Sequence, residues 1–304
     1  MSIIKIKDLP KKDVPIPFRA ETYFDFKAHP FVHKDIFKKA GSVVSVLDVI
    51  GDYILKWLQN RTKDRKNYVE RPLLLTSPIS GKLKVISDGD VVFKPLSVFS
   101  FPVNDFAEPD PIFVSKGSVV FGTNLFVSEG GLFIGKDTTV EPCSTIKGPV
   151  IIGDRCQIRG NAYIRGPVII GNDVIVGGEI KNSILMDGAK FPHISYLGDS
   201  ICGYKSHFGN QATSANFGIF SSTGQKKNVI IEYEGEKYDL GRRKIGVVLG
   251  DFSQVGCSCV TSPGTFIGKN TVVYPLALLP KGFYPSESII KYKPNEHIEI
   301  VERL

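Results

Sequence analysis

Between Ile134 and Val176 an aliphatic residue occupies every sixth position: Ile134, Val140, Ile146, Ile152, Ile158, Ile164, Ile170 and Val176. The same phase returns as Leu249, Val255, Ile267, Val273 and Leu279, with Thr261 in the one polar slot. A period of six matches neither the 3.6 of a helix nor a lone strand alternation. It matches a coil with short flat sides, each hexad supplying one strand and one corner. Gly follows the aliphatic residue at Ile134, Ile152, Ile170 and Val176, as expected of corners where positive φ favours glycine. Fixed-period hexapeptides predict a parallel β-helix, a stack of coils with an apolar interior. A β-sandwich rich in turns would space its turn signals by roughly 8–12 residues instead.

The hexad is absent from residues 1–110. Pro10, Pro15 and Pro17 predict an extended start, and His33 to Asn60 reads as helical, with Val46, Val49, Ile50, Ile54 and Leu58 at helical spacing. Leu73 to Leu75 and Val91 to Phe93 read as strands, and Pro102, Pro109 and Pro111 as a boundary. The fold class expected is therefore all-β, with an α/β N-terminal segment over 1–110, a β-helix over 111–284 and a tail over 285–304. An insertion over 217–243 interrupts the repeat. Within it Val229 to Tyr233 and Lys237-Tyr238 flank Glu234-Gly235-Glu236 and predict a β-hairpin. Insertions into a solenoid map to corners on one face, often the binding face.

Charge and cysteine content narrow the classes of function. The net charge of +7 comes mostly from residues 1–70, without the interleaved aromatics or recognition helix of a nucleic-acid binder. No apolar run approaches a membrane span, and the lysines at positions 5 and 7 cut the first apolar stretch too short for a secretory signal. The five cysteines, Cys143, Cys156, Cys202, Cys257 and Cys259, are scattered. Cys257 and Cys259 lack zinc-ribbon or redox spacing and are expected to be buried free thiols on one strand face. A reducing cytoplasm is expected, and no metal site.

The segments Glu179-Ile180-Lys181-Asn182-Ser183 and His193-Ile194-Ser195-Tyr196-Leu197-Gly198-Asp199 carry a more specific signal. They resemble the acetyltransferase domain of the bifunctional enzymes that make UDP-N-acetylglucosamine from glucosamine-1-phosphate. Gly241-Arg242-Arg243-Lys244-Ile245-Gly246 resembles the archaeal-type branch. The resemblance spans residues 115–290 and implies a left-handed β-helix that transfers acetyl from acetyl-CoA to an amino-sugar phosphate, in a homotrimer. It implies that His193 is the general base, with Glu179 close by, and that Arg165 and Lys181 hold the sugar phosphate. Tyr196 and Asn216 would line the site, and Lys226 or Lys227 would reach the phosphate across a subunit seam, carried by a hairpin that projects toward the neighbour. These residue types suit the chemistry: histidine titrates near neutrality, and Arg forks a phosphate bidentately. Coenzyme A is expected along Val255 to Tyr274, where Cys257, Ser258 and Tyr274 form a flat strip. The chain departs from the family at Gly209-Asn210-Gln211-Ala212-Thr213, where Gly-Ala-Gly-Thr is usual, and at His207, where asparagine is common. Between Val176 and Glu179 it is two residues short. Residues 1–110 contain no Leu-x-Gly-Gly-x-Gly-Thr-Arg loop, so uridylyl transfer is not expected. A non-catalytic sugar-phosphate sensor or scaffold remains the alternative, since fold alone does not fix function.

Overall fold

The computed structural model describes residues 3–63, 69–71, 85–99, 110–218 and 227–293. It is a parallel β-solenoid whose coils have three sides. The first side contains Asn124–Phe126, Thr145–Lys147, Tyr196–Gly198, Thr213–Ser214, Val260–Thr261 and Leu278–Leu279. The second contains Ile112–Val114, Leu132–Ile134, Val150–Ile152, Val247–Leu249 and Thr265–Ile267, and the third is a ten-stranded parallel sheet from Val92–Lys94 to Ile289–Ile290. Tyr163–Ile170 and Glu179–Leu185 run unbroken from first side to second. Each aliphatic of the hexad points inward: the eight from Ile134 to Val176 are at most 1% exposed and form one continuous core.

The first coil begins earlier than the hexad indicates. Val85–Ser87 pairs with Ile112–Val114, Val92–Lys94 with Val119–Phe121, and Ser97–Phe99 with Asn124–Phe126. The stack also continues past 284, because Ile289–Ile290 pairs with Val272–Val273. The boundaries at 110 and 284 therefore both fall inside the solenoid. End coils carry looser hexads because one face lacks a neighbour to pack against. The expected strand at Leu73 to Leu75 and the boundary at Pro102 and Pro109 lie outside the described residues.

The corner glycines serve a different purpose from the one expected. Gly135, Gly153 and Gly171 are absent from the positive-φ residues; that conformation falls two residues later, at Asp137, Arg155 and Asp173. Space decides the glycine instead, since a Cβ on Gly153 would stand 2.5 Å from the Gly171 carbonyl oxygen one coil away. A small polar side chain follows at these corners and bonds to the next coil. Ser118 donates to the Gly135 carbonyl at 2.5 Å, Thr138 to Gly153 at 2.8 Å and Cys156 to Gly171 at 3.0 Å.

On the second side the middle residue of each strand points outward, yet it is apolar: Phe113, Phe133, Ile151, Ile169, Ile184, Ile201, Val248 and Phe266. Such a face must be covered, and the N-terminal segment covers it. Helix α1 (Asp35–Lys39) and helix α2 (Val46–Lys63) replace the single helix expected over 33–60. Gly41-Ser42 breaks it, and Ser42 and Ser45 exchange hydroxyl–backbone bonds at the start of α2, with the Ser42 amide donating to Ser45 Oγ at 2.8 Å; such reciprocal capping begins a new helix. Ile50, Ile54 and Leu58 of α2 are buried in the same cluster, and Trp57 meets Phe133 edge-on at 4.9 Å. The prolines at 10, 15 and 17 give short 3-10 turns rather than an extended start.

The insertion leaves the stack at the corner between Thr213–Ser214 and Val247–Leu249. Its hairpin pairs Ile230–Tyr233 with Glu236–Asp239. The loop is two residues, Glu234 and Gly235, both at positive φ, the geometry that matches strand twist. Ile3–Lys5 adds a parallel third strand. The hairpin does not project away from its own chain. Ile231, Tyr238 and Leu240 are buried with the N-terminal segment, and Tyr238 lies 5.2 Å from the Phe18 ring. Burial of these three large side chains favours this docking over leaving them in water.

Candidate active site

Parallel stacking puts side chains of equal phase above one another at ~4.8 Å intervals. On the first side the residues that flank each inward aliphatic point outward, so two ladders result. One runs Thr145, Tyr163, Glu179, Tyr196; the other runs Phe126, Lys147, Arg165, Lys181, Gly198. The short coil between Val176 and Glu179 leaves this register intact: Arg165 still lies beside Lys181. Gly177 and Gly178 make the shortening possible. The corner of the next coil sits directly on them, and a Cβ on Gly178 would stand 2.6 Å from the Ser195 carbonyl.

That corner, residues 192–195, bears His193. It joins the third side to the first, immediately before Tyr196. Arg159 fixes it by donating to the Pro192 carbonyl at 2.9 Å, and Ser195 by donating to Ala212 O at 2.7 Å. His193 itself is exposed. His207 lies half-buried on the third side of the following coil. Burial first, then Lys190 and His193, holds the His207 pKa below its ordinary value.

On the first side Glu179 Oε1 accepts from Arg165 Nε at 2.9 Å and from Nη2 at 2.7 Å. Lys181 forms no ion pair among the described residues. Burial, then the adjacent Lys244, with Arg165 adding to them, depress its pKa, and Asp199 opposes the shift. A cation so placed gains most from an added anion. Tyr196 and Asn216 join through a 3.0 Å hydrogen bond from Asn216 Nδ2 to the phenol oxygen. Gly198 leaves the room for this contact, because a Cβ there would overlap the Tyr196 hydroxyl and stand 2.7 Å from Asn216 Nδ2.

Asp199 is the buried hub beneath these groups. It accepts from Asn216 at 2.6 Å, Asn182 at 2.7 Å and Arg242 at 3.1 Å. Arg242 also pairs with Asp48 of α2, so the N-terminal segment is tied to the site through one guanidinium. The sequence motifs contain Asp199, Gly198 and Lys244 but assign them no role. Lys147 and Tyr163 belong to no motif, although Tyr163 and Arg165, two apart on one strand, necessarily share a face.

The remaining expected residues fall less closely together. Lys226 lies outside the described residues. Lys227 is exposed at the foot of the hairpin, and no contact among the described residues ties it to Arg165 or Lys181. Cys257, Ser258 and Tyr274 lie along the His193 edge, but two and three coils further on; the Ser258 amide donates to the Asn210 carbonyl at 2.8 Å. Cys257 is exposed and Cys259 buried. They do not share a strand face, because Ser258 between them turns the corner at φ 56°. Among the described residues no group of three His, Cys, Asp or Glu side chains could hold a metal ion. No described helix is long and apolar enough to cross a membrane.

Residues 131–166 match the family model described as bacterial transferase hexapeptide (six repeats). These residues carry the transferase hexapeptide repeat. The chain is 32% identical over 108 residues to a bifunctional sugar-1-phosphate nucleotidylyltransferase/acetyltransferase of Sulfurisphaera tokodaii, covering 36% of this chain and 26% of that protein. It is 36% identical over 128 residues to the bifunctional protein GlmU of Methanococcus vannielii, covering 41% of this chain and 29% of that protein. The bifunctional protein GlmU of Wigglesworthia glossinidia brevipalpis is 27% identical over 276 residues, covering 74% of this chain and 55% of that protein. The chain thus spans about a quarter of the length of the archaeal relatives. The solved structure of the polySia-specific acetyltransferase NeuO is 12% identical, with a TM-score of 0.20 over 66% of this chain and 72% of that one, too slight a likeness to bear on function. The resemblance to these archaeal bifunctional proteins thus extends over 36–41% of this chain.

Proposed function

We propose that this protein is an acetyl-CoA-dependent N-acetyltransferase acting on an amino-sugar phosphate such as glucosamine-1-phosphate. The observation that carries the reading is the alignment on one side of Arg165, Glu179, Lys181, Tyr196 and Asn216, beside the corner that presents His193. Arg165 and Lys181 would hold the phosphate, as adjacent cations suit a dianion. Tyr196 and Asn216 would orient the sugar ring, braced from below by Asp199. The amine lone pair attacks the thioester carbonyl, forming the C–N bond, and His193 takes the amine proton. Collapse breaks the C–S bond, and the departing thiolate of coenzyme A receives that proton from His193. Coenzyme A would lie along the edge of Cys257, Ser258 and Tyr274, which leads to His193. A homotrimer would set each such edge in a seam between prisms.

The test is release of free thiol from acetyl-CoA in the presence of amino sugars with and without a phosphate. Thiol release with a phosphorylated amino sugar, and little with free glucosamine, is expected. His193→Ala should lower kcat by roughly 10²–10⁴-fold, the range for loss of a general base, whereas Lys181→Ala should chiefly raise KM for the phosphorylated acceptor. No release with any acceptor would favour the scaffold reading.

A further inference from the structure

The N-terminal segment seals the second side, yet its own packing leaves a gap. The 3-10 turns Lys11–Asp13 and Ala20–Thr22 form one wall, and α1 with the Ala40–Ser42 link to α2 forms the other. Between them lies a cavity of about 420 Å³. The Val43 amide donates to the Phe18 carbonyl at 2.7 Å and holds the two walls together. The lining divides by chemistry. Ala20, Phe37 and Ala40 are at most 8% exposed and supply an apolar floor, and the Phe24 and Phe26 rings hold Phe37 in place at 5.6 and 5.1 Å. Lys11, Lys12 and Arg19 supply three cations against one carboxylate, Glu21. Among the described residues none of these four side chains forms an ion pair. Arg19 is the fixed member and is half-buried. Its Nε donates to the Val14 carbonyl at 2.7 Å and its Nη2 to the Lys12 carbonyl at 3.0 Å, so the guanidinium is oriented before any ligand arrives. The same two bonds fold residues 12–19 back on themselves and bring the two lysines to the cavity. Nη1 makes no hydrogen bond among the described residues.

We propose that this cavity is a second ligand site, which binds a phosphate monoester carrying a small apolar or planar body. The phosphate would sit at Arg19, Lys11 and Lys12, and the body on the floor at Phe37. Three cations against one carboxylate leave two positive charges, which a phosphate dianion matches. An oriented guanidinium makes short, charge-assisted hydrogen bonds to phosphate oxygens, while two lysines act beside it as point charges. The volume falls within the roughly 300–1,000 Å³ typical of small-molecule sites, room for one ring beside the phosphate. An apolar floor with a few convergent polar groups also fits that description. The site lies in the covering segment, apart from the charged ladder of the first side, and does not depend on the reaction proposed there.

Calorimetric titration of the full chain with phenyl phosphate, inorganic phosphate and benzyl alcohol separates the two halves of this recognition. Phenyl phosphate should bind about tenfold or more tightly than inorganic phosphate, because its ring is buried on the floor, and benzyl alcohol should show no binding. The first side is also proposed to hold a phosphate, so variants locate the bound ligand. Lys11→Ala combined with Lys12→Ala should weaken phenyl phosphate by about tenfold, through loss of two charges at the phosphate. Both lysines are exposed, so this variant should fold as wild type does. Lys11→Arg combined with Lys12→Arg should keep the affinity. Lys181→Ala, on the first side, should leave it unchanged. The proposal fails if phenyl phosphate does not bind, or binds no better than inorganic phosphate. It fails equally if the double alanine variant keeps the wild-type affinity, or if Lys181→Ala is the variant that loses it. No acetyl donor is present, so absence of transferase activity would overturn the catalytic assignment without touching this outcome.

Discussion

Thr261 shows how strictly the stack imposes its pattern on one residue. It fills an aliphatic slot of the hexad, is fully buried, and its hydroxyl finds no hydrogen-bond partner among the described residues. A buried, unsatisfied hydroxyl costs about 1–3 kcal/mol. Thr261→Val keeps the shape and removes that cost, so a rise of about 1–2 kcal/mol in unfolding free energy is expected, read as a higher urea midpoint at unchanged slope. A midpoint below that of wild type would mean that the hydroxyl has a partner after all. Individual residues were legible in sequence where one physical rule acts alone. The hexad reports burial and nothing else, and every aliphatic in it is buried. His193, Glu179 and Lys181 were legible only through motif resemblance, because an exposed corner histidine carries no periodic signal. Asp199 had no visible role, since its partners Asn182, Asn216 and Arg242 come from three segments. The corner glycines were read correctly in place and wrongly in cause, as steric approach between coils leaves the same residue type as positive φ.

At the scale of elements, the N-terminal segment acts as the missing half of the second side. Its helices are amphipathic as expected, but nothing in residues 1–63 states which surface they cover. That follows from the solenoid strands, whose outward middle residues on this side are apolar and buried. His33 is part of the seal: it is buried, with Nδ1 2.9 Å from the Tyr53 hydroxyl. Burial, and secondarily the nearby Arg61, push its pKa from the ordinary 6.5 down to about 4. The unfolded chain therefore binds this proton more readily than the folded one. The stability that neutral His33 contributes is complete above pH 6.5 and is lost as pH falls toward 4, by roughly 3 kcal/mol over the full shift. Urea titrations at pH 7 and pH 4.5 should show a smaller acid loss in His33→Leu than in wild type. Equal losses in the two would place the acid sensitivity in other groups. The hairpin teaches the complementary lesson, since its strands were legible from alternation and turn residues. Its docking was not, because the partner surface, Phe18 with Phe266 and Phe283, is assembled from distant parts of the chain.

The whole molecule has three sides with three different fates, and this restricts how copies can meet. The second side is sealed by its own N-terminal segment, so no neighbour can pack there without displacing α2. The first side carries the charged ladder in its middle coils. Beyond it, the last coils turn apolar at the edge between first and third sides: Tyr274, Leu276 and Leu278 are 47%, 73% and 53% exposed. An exposed apolar edge on a rigid stack marks an interaction surface, and the proposed threefold assembly would place it in each seam. The apolar face of the hairpin is already buried in its own chain, so in this reading the apolar contact across the seam comes from the coils. Sedimentation of wild type is therefore expected to give three times the 33.5 kDa of one chain. Leu276→Asp combined with Leu278→Asp should shift the protein toward the single-chain mass while preserving its circular dichroism, because neither side chain supports the fold of one copy. The same edge holds Cys257 and Ser258, where coenzyme A is proposed to lie. Dissociation should thus weaken coenzyme A binding by removing one wall of its groove, even though neither substituted residue need touch it. A wild-type protein that sediments as one chain at micromolar concentration would refute the trimer. Unchanged coenzyme A affinity in a dissociated double variant would move the donor groove off the seam.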